Sequence, residues 1–269
     1  MHLDAIDLRN FYARRIGLMV RRLLRPRFRS YWPDVAGLRV FGLGYATPYL
    51  AEFRAQALCT GALAPVRLGA LPWPERASSH TALVDETDLP LDDESADRVL
   101  VVHMLEWSEH PHALLREIWR VLAPNGRILV AVPNRRGLWA RMDSTPFGYG
   151  SPFSRSQLTQ LLKEAMFQPE SWHYVLHLPP FDWRVLTRWP DFWEQAGDLL
   201  WPAFSGVIVV EATKQVYAGS LAREPARSMR RRMIPVPAGA VTPRLGETAL
   251  TGQQEDGLLA EEVLRRERH

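Results

Sequence analysis

Residues 82–134 read ALVDETDLPLDDESADRVLVVHMLEWSEHPHALLREIWRVLAPNGRILVAVPN, and this stretch decides the fold. Three short apolar runs alternate along it with one segment of helical periodicity. The apolar runs are 82–84, 98–103 and 128–132, and the helical segment is 111–122. Pro124-Asn125-Gly126 favours a break before the last run. Strands that alternate with a helix of about a dozen residues pair in parallel, so the pattern predicts an α/β sheet.

Polar side chains follow two of the predicted strands. Asp85 and Glu86 come directly after the first strand, and His103 ends the second. Ligands of open α/β sheets bind at the carboxyl ends of the strands. These three residues are therefore expected where a small molecule would bind.

The same stretch resembles the class I S-adenosylmethionine-dependent methyltransferases, and their type 11 subgroup in particular. The resemblance spans residues 38–170 and rests on DLPL at 88–91, DRV at 97–99, LEW at 105–107, REIWRVLAPNG at 116–126 and PN at 133–134. It implies a Rossmann-like, doubly wound, mostly parallel sheet with a late antiparallel strand, in a three-layer α/β/α arrangement. It also implies S-adenosylmethionine as the cofactor.

The expected cofactor loop follows a first strand at 38–43 and departs from the family pattern of an acidic residue and then Gly-x-Gly-x-Gly. Gly44 matches the first glycine, whereas Ala46 and Pro48 stand for the second and third, and Gly42 occupies the acidic position. The glycines of such a turn let the backbone approach a nucleotide-like ligand closely. The resemblance implies that the cofactor-binding residues are Gly42, Gly44, Tyr45, Ala46, Asp85, Glu86 and His103.

A second departure concerns the acidic residue that, in the family, ends the second strand and accepts the ribose hydroxyls. We expect the second strand near 57–59, and the chain has no Asp or Glu between Glu52 and Glu75. Losing a charged hydrogen-bond pair costs about 1.5–3 kcal/mol, which weakens cofactor binding roughly ten- to hundredfold. The Thr60 hydroxyl or a nearby backbone group is the expected substitute.

Several site residues have more than one interpretation. Asp85 either contacts the cofactor's adenine or stabilises its own turn, and His103 is either a buried histidine bonded to backbone, a contact to substrate or methionine moiety, or a general base. Trp107 replaces the family's histidine. Trp107 and Tyr149 are candidate substrate contacts, with packing as the alternative for Trp107. The sequence identifies no catalytic residue, and no Cys or His cluster has metal-ligand spacing.

Three regions are predicted along the chain. Residues 1–36 form a helical cap, 37–217 form the methyltransferase-like domain, and 218–269 form a basic, largely disordered tail. A tryptophan-rich insertion lies near 181–201 in the second region.

The helical cap begins with an amphipathic helix at 4–24, which Pro26 should stop. Its apolar positions are Leu8, Tyr12, Ile16, Met19 and Leu23. One interpretation is that this helix packs on the domain or caps a substrate site, and the other is that it contacts a membrane surface peripherally.

Composition limits the classes of protein. The 269 residues carry a net charge of +3 and a single cysteine, Cys59, which fits a reducing compartment. No apolar run approaches the 18 residues or so of a membrane span, and the amino terminus does not resemble a signal peptide. We expect a cytoplasmic protein, and no nucleic-acid motif is recognised. The oligomeric state is not readable.

The sequence thus favours a methyltransferase that acts on a small or medium-sized molecule. A non-catalytic binding or scaffold protein with the same fold is the first alternative, because the cofactor loop is altered. An α/β protein that binds another nucleotide-like ligand is the second.

Overall fold

A computed structural model describes residues 3–74, 78–178 and 205–216. In these residues, seven strands form one sheet. They are β1 Arg39–Gly44, β2 Cys59–Pro65, β3 Thr81–Val84, β4 Ala96–Val102, β5 Leu122–Pro133, β6 Phe167–Val175 and β7 Val207–Lys214. Their order across the sheet is β3-β2-β1-β4-β5-β7-β6. Strand β7 pairs antiparallel with both neighbours, and the pairs among β1 to β5 are parallel. The predicted fold class is confirmed.

Helices cover both faces of this sheet. They are α1 Ala5–Ala13, α2 Arg15–Tyr31, α3 Thr47–Leu50, α4 Pro111–Val121 and α5 Arg155–Glu164. Alternate residues of a strand face opposite sides. Leu100 and Val102 of β4 therefore pack with the residues of α1, α2 and α3, whereas Val99 and Val101 pack with those of α4 and α5. Two apolar cores with the sheet between them give the three layers.

The amino-terminal helix differs from its prediction in two ways. The helix is interrupted at Arg14, whose backbone is extended (φ −77°, ψ 161°). The second helix, α2, then continues through Pro26 to Tyr31. A proline inside a helix costs about 3 kcal/mol. The apolar face of α2 continues past Pro26 to the buried Phe28, and burial of this face offsets the cost. The apolar faces of both helices pack in the core. These faces are therefore not available to contact a membrane surface.

Two features of the second half of the chain concern where a helix begins and how a strand pairs. Helix α5 begins at a capping box, in which the Ser154 side chain accepts the backbone N–H of Gln157. The expected break at 124–126 lies within β5, Leu122–Pro133, as an irregularity of the strand. The register of its pairing with β4 shifts there, from Leu122 with Ala96 to Arg127 with Arg98, and Asn125 has a φ of 62°.

The second strand lies later than predicted. Strand β2 starts at Cys59, where 57–59 was the expected strand, and Thr60 pairs with Val40 near the start of β1. Thr60 is therefore at the amino end of the sheet, opposite to Gly44. The expectation that its hydroxyl replaces the ribose-binding carboxylate is wrong.

The insertion at 181–201 and the tail at 218–269 lie outside the described residues, so their predictions stay untested. None of the helices in the described parts of the chain is long and apolar enough to cross a membrane. The cytoplasmic location remains a prediction.

Candidate functional site

The turn after β1 depends on Gly44. Its φ is +79°, a conformation that glycine adopts without strain. A Cβ at this position would lie 2.4 Å from the Val102 carbonyl oxygen and 2.8 Å from that of His103. The next residue, Tyr45, donates its backbone N–H to the same Val102 oxygen at 2.8 Å. This turn is therefore held tightly against the carboxyl end of β4.

His103 lies at that end with an unusual backbone and a defined set of partners. It is 1% exposed and has a φ of 50°, which for a residue with a side chain stores strain of order 1 kcal/mol. Its Nε2 lies 2.8 Å from the Tyr12 hydroxyl, and its Nδ1 lies 3.2 Å from Glu106 Oε1. The expected backbone bond for this histidine is replaced by side-chain bonds from two other elements.

Hydrogen bonds link Tyr49, Tyr12, His103 and Glu106 in a chain, and the Tyr49 end sets which group donates at each step. The Tyr49 hydroxyl donates to the Tyr12 oxygen at 3.1 Å, which leaves the Tyr12 hydrogen for His103 Nε2. A neutral His103 then carries its proton on Nδ1 and donates it to the Glu106 carboxylate. Burial raises the pKa of Tyr12 well above its usual value, and neighbouring Tyr49, Tyr45 and Glu106 add to this. Tyr12 therefore stays a donor at neutral pH.

The ring of Tyr12 occupies space next to the turn at Gly44. It stacks on Tyr45 with ring centroids 5.6 Å apart and an interplanar angle of 20°. Helix α1, which carries Tyr12, is anchored by a bond from the Ala5 N–H to the Leu68 carbonyl, 2.8 Å long. The cavity lined by Ala5, Gly44, Tyr45 and Leu68 consequently has a volume of only about 20 Å³.

A larger cavity, about 420 Å³, lies at the carboxyl ends of strands β2, β3 and β4. It is lined at the end of β2 by Pro65 and Leu68, after β3 by Glu86, and after β4 by His103 and Met104. Its further lining includes Arg67, Glu106, Trp107, Glu109 and Tyr149. This volume lies within the range of small-molecule sites.

The predicted residues after β3 differ in their placement. Asp85 is exposed, and its Oδ1 accepts the backbone N–H and the hydroxyl of Thr87, both at 2.8 Å. These bonds hold the pKa of Asp85 below its usual value. Glu86 is half-buried and lines the large cavity. The structure thus gives Asp85 a turn-forming role and brings Glu86 to the cavity.

The other predicted residues fall into two groups. Gly42, Gly44, Tyr45 and Ala46 are all buried around the turn after β1. Trp107 and Tyr149 line the large cavity, where the Trp107 Nε1 donates to the Tyr149 carbonyl oxygen at 3.1 Å.

Sequence reasoning gave two residues of this site too little weight. Glu106 is not among the predicted site residues, and Tyr12 is predicted only as one apolar position of the amino-terminal helix. Tyr12 comes from α1, and no local signal relates it to a residue 91 positions later. The signal that favours Glu106 is its place in the family-like LEW segment at 105–107.

The end of β2 carries no carboxylate. The residues that follow Pro65 are Val66, Arg67 and Leu68, and the next acidic residue in the sequence is Glu75. With β2 placed at Cys59–Pro65, the interval without Asp or Glu still follows the strand.

The comparison with protein families agrees with this geometry. The model described as a methyltransferase domain matches residues 39–130, from the first residue of β1 to the middle of β5. Over these residues, about a third of its length, the chain is similar to the methyltransferase domain family.

The methyltransferase domain also resembles proteins of known sequence or structure. The uncharacterized protein YafS of Escherichia coli is 27% identical over 115 residues, which are 43% of this chain and 44% of YafS. The chain thus matches less than half the length of this curated relative.

Two solved structures share the fold. One is the complex of the Haloferax volcanii Trm112 methyltransferase activator with a methyltransferase, at 19% identity and a TM-score of 0.56 over 78% of this chain and 96% of that chain. The other is an S-adenosylmethionine-dependent methyltransferase from Thermotoga maritima, at 15% identity and 0.55 over 78% and 95%. At such identities the likeness concerns the fold.

Proposed function

We propose that the methyltransferase domain binds S-adenosylmethionine and transfers its methyl group to a small or medium-sized molecule. The observation that carries the proposal is the 420 Å³ cavity at the carboxyl ends of β2, β3 and β4, inside a domain of this family. Open α/β sheets bind their ligands at the carboxyl ends of their strands.

The residues at the carboxyl ends of these strands fit the adenosine half of the cofactor. Glu86 lines the cavity directly after β3 and can accept the hydrogens of an adenine amino group. The turn at Gly44 brings backbone close to the ends of β1 and β4. The bound cofactor supplies an electrophilic methyl group, and the domain supplies alignment and exclusion of water.

The methionine half requires a rearrangement of α1. About 20 Å³ is left beside Gly44, because Tyr12 and Leu68 pack there. We propose that α1 and the Tyr12 side chain withdraw when the cofactor enters. The bond between Ala5 and Leu68 and the bond between Tyr12 and His103 would then break.

Calorimetry with S-adenosylhomocysteine tests this assignment. Because no carboxylate follows β2, we expect a dissociation constant above the low micromolar range. Glu86→Gln should weaken binding by about 1–3 kcal/mol, through loss of a charged acceptor. The matched control is Asp85→Asn, one residue earlier and exposed, which should change the affinity far less. Equal losses in the two variants would contradict the role of Glu86.

The non-catalytic reading remains the second candidate. Two observations favour it, namely the absence of an acidic residue at 66–74 and the packing of Tyr12 beside Gly44. In that case neither S-adenosylmethionine nor S-adenosylhomocysteine would bind at millimolar concentration, and the domain would retain its fold. Binding by the wild-type protein would exclude this reading.

A further inference from the structure

Glu106 is a buried acid whose hydrogen bonds are incomplete. It is 2% exposed, and its Oε1 is bonded to His103. Its Oε2 has no hydrogen-bond partner among the described residues. Buried polar atoms in native proteins are nearly always paired, so such an atom needs an explanation.

The surroundings of Glu106 indicate what would complete it. Glu106 lines the 420 Å³ cavity together with two other acids, Glu86 and Glu109. Arg67 is the one Lys or Arg among its described lining residues, and it is already paired with Glu109. The cavity therefore presents an excess of negative charge, which disfavours an anion.

An aromatic surface lies beside the same acid. The Trp107 ring stacks with that of His103, with centroids 5.6 Å apart and planes at 25°. Trp107 is half-buried, and its Nε1 is already used by the Tyr149 carbonyl. Its ring is therefore available for apolar or cation–π contact, and Trp is the ring that cations prefer.

We infer that the part of this cavity beside Glu106 and Trp107 takes a methyl acceptor with a cationic nitrogen, whose N–H groups donate to Glu106 Oε2. The inference rests on the proposed function, since it names the substrate class of that site. A protonated amine next to an aromatic body would satisfy the buried acid, balance its charge and cover Trp107. A neutral alcohol of equal size would donate one hydrogen bond without the charge.

Direct binding tests this inference independently of catalysis. The probes are phenethylamine and tryptamine, each compared with its neutral analogue, 2-phenylethanol and tryptophol, by calorimetry without cofactor. We expect each amine to bind at least about tenfold more tightly than its alcohol. Equal affinities, tighter binding of the alcohols, or no binding of the amines at millimolar concentration would overturn the inference.

Two variants locate the effect. Glu106→Gln keeps an oxygen for His103 and removes the charge, so the preference for amines should disappear. Glu109 lines the same cavity, but its exposed carboxylate is paired with Arg67. The preference for amines should therefore persist in Glu109→Gln. An equal loss in the two variants would mean a general electrostatic effect and would overturn the role of Glu106. Melting temperatures show whether each variant is folded.

Titration with S-adenosylhomocysteine in parallel separates this inference from the proposed function. Amine binding that depends on Glu106 without cofactor binding would refute the proposed methyl transfer and retain the cation site. Cofactor binding without a preference for amines would refute the cation site alone.

Discussion

The two ends of the parallel sheet are built differently. At the amino end, Arg39 of β1 meets Asp97 of β4, and Asp97 accepts three hydrogen bonds from Arg39, between 2.8 and 3.0 Å long. At the carboxyl end, His103 has a strained backbone, and Glu106 is buried with one oxygen unpaired. The Asp97 carboxylate is thus bonded through both of its oxygens, whereas the Glu106 carboxylate is bonded through only one.

The Arg39–Asp97 pair stabilises the domain, whereas we propose that Glu106 binds a ligand. Hydrogen bonding to Arg39 is the main reason why the pKa of Asp97 lies below its usual value, so the pair stabilises the folded state at neutral pH. Strain and unpaired buried groups cost free energy and persist where function requires them. Four substitutions, ordered by expected effect, test this contrast.

The largest effect is expected at Gly44. An alanine Cβ would collide with the carbonyl oxygens of Val102 and His103, and the φ of +79° adds strain. Gly44→Ala should therefore lower the free energy of unfolding by about 3 kcal/mol or more and abolish cofactor binding. Gly37 has a similar φ of +72° with nothing within 4 Å, so Gly37→Ala should cost only about 1 kcal/mol. Similar denaturation midpoints for the two variants would contradict the tight turn.

Tyr12→Phe is expected to have the next largest effect. It removes the donor to buried His103 Nε2 and the acceptor of the Tyr49 hydroxyl, which should cost about 1–3 kcal/mol. The control is Tyr31→Phe, because the Tyr31 hydroxyl bonds His173 Nδ1 at 2.6 Å in a half-buried setting where water can replace it. Urea denaturation should show the smaller loss for Tyr31→Phe, and the reverse order would refute the buried network.

Asp97→Asn should have a smaller effect that depends on pH. Because the folded-state pKa of Asp97 is lowered, its contribution is complete above the unfolded-state pKa, about 3.9, and is lost as the pH falls through the folded value. We expect a loss of about 1 kcal/mol at pH 7 that shrinks as the pH falls through the folded-state pKa of Asp97. Denaturation across this range measures it, and a difference that does not change with pH would contradict the ion pair.

Glu109→Gln is expected to change stability least. The pair of Arg67 and Glu109 is more than half exposed on both sides, and exposed pairs contribute little. The melting temperature should stay within about 2 °C of the wild type at low and high salt. A larger drop would show that the rim of the cavity is not loosely held.

The sequence predicted best where periodicity and spacing agree. Strands β4 and β5 and helix α4 lie in the quoted stretch, and their alternation led to the parallel sheet that is observed. The placement of Gly44, Glu86 and His103 at one edge followed from the same reasoning, because parallel strands share their carboxyl ends.

Predictions failed where local signals were weak or tertiary burial outweighed them. Strand β2, CTGALAP, contains small residues and a terminal proline, so its start was placed too early and Thr60 was assigned to the wrong end. Pro26 was expected to end a helix, but burial of the apolar face of α2 carries the helix past it. Both errors arise because the free energy of burying apolar side chains in the tertiary structure can outweigh the local conformational preference of the sequence.

The sequence by itself determined the sheet, its edge and the missing carboxylate after β2, because these depend on residue order, periodicity and composition. Tertiary structure alone decided the composition of the site. It brought Tyr12 from the first helix onto His103 and buried Glu106 with an oxygen unpaired. Such contacts depend on how distant segments pack, and packing is not encoded in any single stretch of the chain.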